Sequence, residues 1–125
     1  MKTLTRSLAL FLGLALAATV YAHGEHPAHH GGQVVEAGDY VLEWVAQENA
    51  LYLSDHDGKE VSTVGAGGKI IAVGGSNKTT VTLTPAGGNR LNLSEPLPSG
   101  NGTKAVISIT LPGHAPVQAR LEGAK

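Results

Sequence analysis

The chain has 125 residues, nine Lys or Arg against ten Asp or Glu, a formal charge of −1 and no cysteine. That length leaves room for one small domain, and the missing cysteine excludes disulfides and thiolate metal sites. A near-neutral charge without a basic patch excludes nucleic acid as a partner, so burial alone must hold the domain together.

Residues 1–22 have the layout of a secretory signal. Lys2 and Arg6 form a positive start, an apolar run from Leu8 to Ala18 follows, and Val20-Tyr21-Ala22 suits a signal peptidase. The apolar run is shorter than the roughly 20 residues a membrane-spanning helix needs, and a polar His/Gly/Pro stretch follows at once. The expectation is cleavage after Ala22 and a soluble product in the periplasm, free of the membrane. Losing Lys2 and Arg6 takes the formal charge to about −3.

Residues 23–32 come next, His-Gly-Glu-His-Pro-Ala-His-His-Gly-Gly, with four of the six histidines of the chain. A short His-rich tract reads as metal-binding, and Gly31-Gly32 lets it act as a flexible tail that folds back on the domain. Cleavage would let His23 offer both its α-amino group and its ring to one metal. His26 would then stand fourth, which rules out the amino-terminal copper/nickel motif that needs His in third place. Adjacent residues point opposite ways, so only one of His29 and His30 is expected to aim at the sheet.

From residue 33 to 122 the chain reads as short strands between turns. Strands are expected at 33–36, 40–46, 50–54, 60–64, 69–73, 78–84, 90–93, 105–111 and 117–121. Period-two alternation is clearest at Thr79 to Thr84 and Ala105 to Leu111. No stretch has a capped helical period. The fold class is all-β, a small antiparallel sandwich or barrel of about seven or eight strands. Trp44 is expected in the core, and Glu43 beside it is expected to face water. Asp55-His56-Asp57-Gly58 has the residues of a tight turn and also a carboxylate–imidazole–carboxylate set, with the turn favoured. His114 reads as a solvated loop residue.

Nothing points to an enzyme. Gly-x-Ser-x-Gly is missing, no Ser/His/Asp set stands in a recognisable context, and the glycine pairs at 67–68, 74–75 and 87–88 open no helix that could cradle phosphate. The sole methionine is Met1, within the leader. The ligands left are therefore imidazole, carboxylate and the terminal amine, which suit Cu(II), Zn(II), Ni(II) or Co(II). Such binding weakens as the pH drops through about 6, because protonated imidazole cannot ligate.

His30-Gly31-Gly32-Gln33-Val34-Val35, Gly38-Asp39-Tyr40-Val41-Leu42-Glu43, Leu51-Tyr52-Leu53 and Asp57-Gly58-Lys59 together resemble the His-Gly-Gly β-domain of periplasmic heavy-metal efflux adaptors and their small stand-alone relatives. The resemblance covers roughly the first half of the mature chain. It implies a β-rich metal-handling module and marks His30 and Glu43 as matching positions. The hairpin, lipoyl-like and membrane-proximal parts of an adaptor are missing, which favours a stand-alone binder over a pump subunit. The expected function is a periplasmic buffer or carrier for a divalent transition metal ion, Cu(II) or Zn(II) first, in metal resistance or homeostasis, with a heavy-metal efflux system as one candidate partner. The candidate ligands are His23, His26, His29, His30, His56 and Glu43. The competing expectation is an envelope interaction module that docks a partner through a sheet face or edge.

Overall fold

The computed structural model describes residues 26–98 and 102–123, so the expected signal peptide at 1–22 and His23 lie outside the described residues. Eight strands follow in order: β1 (Gln33–Ala37), β2 (Tyr40–Val45), β3 (Ala50–Asp55), β4 (Gly67–Gly74), β5 (Asn77–Pro85), β6 (Arg90–Leu93), β7 (Lys104–Thr110) and β8 (Val117–Glu122). All pair antiparallel in one sheet ordered β1-β2-β3-β6-β5-β4-β7-β8, and no helix occurs among the described residues. The sheet curls until β1 and β8 lie side by side, where the Gln33 side-chain amide donates to the Glu122 carbonyl at 3.3 Å. Of the two architectures expected, this is the nearly closed barrel.

Alternation decides what fills it. On β5 and β7, Val81, Leu83, Ala105, Ile107 and Ile109 point inward, while Thr80, Thr82 and Thr84 stand in solvent. Leu42 and Trp44 of β2 meet Leu53 and Leu51 of β3 across the ladder, and all four are buried in the common core. Each fully buried Leu or Ile contributes about 1.5–3 kcal/mol, and a core of this kind replaces the disulfides the chain does not have.

The strand expected at 60–64 does not form. Residues beyond Asp55 keep a single bridge, Ser54 to Glu60, because the free edge of β3 is already taken by β6 through Ala50–Asn92, Leu51–Leu91 and Tyr52–Arg90. Alternation still sorts the side chains. Thr63 is buried, its hydroxyl donating towards the carbonyls of Gly88 (3.2 Å) and Arg90 (3.0 Å), and Val64 is left 76% exposed. Period two chooses which side chains go in, but a strand also needs a neighbouring edge.

Strand β2 breaks the barrel rule. Every residue from Val41 to Val45 is buried, so its outer face is covered as well as its inner one. The cover is the segment from His26 to Gly32.

Candidate metal centre

The two N-terminal hairpins set the register that builds the site. The Gly38-Asp39 turn, with Gly38 at φ +59°, pairs Glu36 with Val41. The second turn, closed by Asn49 at φ +54°, pairs Val41 with Ser54. Val35 and Ala37 face the core, so Glu36 faces out. Tyr52 and Ser54 face out on β3, and His56 continues that parity just past the strand end. Glu36 and Ser54 are two strand spacings apart, about 9.6 Å, a gap long side chains bridge over the shorter Val41.

Three ligand atoms converge there. His26 Nε2 lies 3.3 Å from Glu36 Oε2 and 3.3 Å from His56 Nδ1, and the three groups fall within 4.8 Å of one another. Tetrahedral zinc with bonds of 2.0–2.1 Å separates its ligands by about 3.3 Å, the spacing His26 keeps to both of its neighbours. The other nitrogen of His56, Nε2, lies 3.0 Å from the Gly38 carbonyl. A carbonyl only accepts, so His56 Nε2–H donates to it and leaves the Nδ1 lone pair turned to the cluster. Fixing one ring nitrogen on a backbone carbonyl is how proteins orient a metal-ligating imidazole. His26 is partly buried, and Glu36 and His56 are exposed, so an ion can reach the group from solvent.

Both readings of Asp55-His56-Asp57-Gly58 coexist. Asp55 Oδ1 accepts the N–H groups of Asp57 and Lys59, each at 2.9 Å, and the Asp55 carbonyl accepts from Gly58 at 3.1 Å. The Lys59 N–H, helped by Asp57, holds the Asp55 carboxyl below its usual range. The aspartate and glycine thus make the turn, and the turn delivers His56.

The remaining candidates sort clearly. His29 lines the same cavity of about 370 Å³ as His26 and His56 without joining the three converging atoms. His30 is stacked on Tyr52, ring centroids 3.6 Å apart and planes within 9°. Tyr52 in turn donates its hydroxyl to Glu48 and accepts from Arg90 Nη1 at 3.1 Å, and the Glu48 bond pushes its phenol up. His114 is exposed and meets Tyr40 edge-on.

Glu43 does not face water: it is 5% exposed. Its Oε1 accepts the His29 N–H at 3.0 Å, and its Oε2 accepts those of His30 and Gly32 at 2.8 Å each. Burial raises its pKa, but the three N–H donors and the nearby His30 ring outweigh that and leave it lowered. Strand parity puts Glu43 on the outer face of β2, beside Val41 and Val45 and opposite the core residues Leu42 and Trp44. That face is simply covered here.

Glu36 is the member that residue-type reasoning missed. Treated as the last residue of a short strand, it carried no signal of its own. The two hairpin registers taken together would have placed it one strand from Val41 and two from His56. Matched against family models, curated proteins and solved structures, the chain finds no counterpart in any of the three.

Proposed function

We propose that this protein binds a divalent transition metal ion through His26, Glu36 and His56 and acts as a buffer or carrier for it. The supporting observation is the convergence of two imidazole nitrogens and a carboxylate oxygen within 4.8 Å of one another, with His56 already oriented by the Gly38 carbonyl. Three protein ligands leave a fourth position for water or an exchanging ligand, the arrangement of a site that can hand its ion on. Two nitrogens and an oxygen with no sulfur suit Zn(II) or Cu(II) over Cu(I). Export to the periplasm, and kinship with the His-Gly-Gly domains of heavy-metal efflux systems, belong to the same proposal and rest on the signal-like residues 1–22 and the quoted motifs.

The test is calorimetric titration with Zn(II) and Cu(II) at pH 7, on the wild-type protein and His56→Ala. The variant keeps the whole His-rich segment, so it separates this centre from a loose histidine tail. One ion per chain in the wild type and a loss of about 100-fold or more in the variant is expected, beyond the 10–100-fold typical of outer-shell changes. Equal binding by both would assign the ion to the tail and overturn the proposal.

A further inference from the structure

We infer that Glu43 is the positioning residue of this metal centre, fastening the His-rich segment so that His26 is held against Glu36 and His56. The inference rests on reading those three residues as the metal site. His26 belongs to a segment with no ladder partner of its own, since β1 begins only at Gln33. Apart from the contacts of His26 with Glu36 and His56, the ties from that segment to the barrel fall within residues 29–32, the His30–Tyr52 stack and the bonds to Glu43. Three of its N–H groups enter one carboxylate at 2.8–3.0 Å, a nest of donors closed around an anion. Gly31 at φ +75° makes the bend that lets the N–H groups of His30 and Gly32, on either side of it, reach one carboxylate oxygen. Gly32 lies flush on β2, where a Cβ would come within 2.2 Å of the Trp44 carbonyl oxygen and 2.9 Å of Val45 Cγ2.

An ionised carboxylate is suited to this work because it only accepts. A glutamine of the same shape would turn an NH₂ group towards at least one backbone N–H, leaving a buried donor unpaired. Both Glu43 oxygens are committed to the segment and the residue is buried, so it acts on the metal through His26. Without the clamp, capture would first have to order residues 26–32 on the barrel. With it, the ligands stand together before the ion arrives.

Zn(II) titration of the wild type, Glu43→Gln and His26→Ala, at a temperature where thermal melts show all three folded, tests this. Backbone amide spectra are recorded with and without Zn(II). Glu43→Gln is expected to keep one Zn(II) per chain but bind about tenfold or more weakly. The His29, His30 and Gly32 amides should barely shift on loading in the wild type and shift strongly in the variant, which a general loss of stability would not produce. If the wild type binds no Zn(II), the metal reading itself fails. If His26→Ala weakens binding while Glu43→Gln matches the wild type, the metal reading stands and the positioning role is overturned. Gly32→Ala attacks the same clamp from the other side and, judged by the same criteria, carries the test should Glu43→Gln not fold.

Discussion

Strands β2 and β5 lie in one barrel and share one core, yet their outer faces have opposite fates. On β5 the outward residues Thr80, Thr82 and Thr84 are exposed and the strand alternates cleanly. On β2 the outward residues Val41, Glu43 and Val45 are buried, because residues 26–32 lie across them. The three groups that could hold a metal ion gather on the covered side, with Glu36 and His56 flanking β2 and His26 brought in by the cover. In a barrel this small the interior is filled by side chains, so a site has to be built outside, and here the covering segment supplies its third group.

If the two sides differ only outside the barrel, core truncations must hurt both alike. Leu42→Ala on β2 and Ile107→Ala on β7 remove side chains that are 1% and 0% exposed, and each is expected to cost about 2–5 kcal/mol in urea melts. A much smaller loss at Leu42 would mean that the covered side is loosely packed. The metal reading should split the sides next. His56→Ala is expected to lower Zn(II) affinity by about 100-fold, while His114→Ala, away from the cluster, should leave it unchanged.

Outer-face valines give a finer contrast. Val41, 5% exposed on β2, should cost about 1–3 kcal/mol as Ala, and Val73, 45% exposed on β4, no more than about 0.5 kcal/mol. Equal values in thermal melts would deny that the N-terminal segment covers β2.

The smallest expected effect is a pH dependence. Folding lowers the Glu43 pKa, so its stabilisation is fully present above the ordinary carboxylate value of 4.5 and is lost as the pH falls through the depressed folded value. The Tm of the wild type should therefore exceed that of Glu43→Gln at pH 7, with the difference shrinking below about pH 4.5. A difference that stays constant down to acid pH would show that the carboxylate charge does not hold the segment.

Much of the barrel was legible in the residues. The alternation at β5 and β7 located those strands and their inward faces directly, whereas the Asp57-Gly58 signal marked a real turn without the strand expected after it. Even the cover left a trace: Val41-Leu42-Glu43-Trp44-Val45 does not alternate, the pattern of a strand buried on both faces. The glutamate within that run pointed away from the conclusion, because a lone charge on an apolar strand is ordinarily solvated. Only the three N–H groups arriving from residues 29–32 explain its burial. Glu36 and the absent strand at 60–64 were hidden for a shared reason. Both depend on which strands pair rather than on residue type, Glu36 on the registers of the first two hairpins and the 60–64 segment on the return of β6 to β3.

Anomalous diffraction from zinc-loaded crystals at the zinc edge tests the metal centre most directly. One ion is expected, about 2.0–2.1 Å from His26 Nε2 and His56 Nδ1 and about 2.0–2.2 Å from Glu36 Oε2. An ordered ion held by other residues, or no ordered ion at saturating zinc, would contradict it.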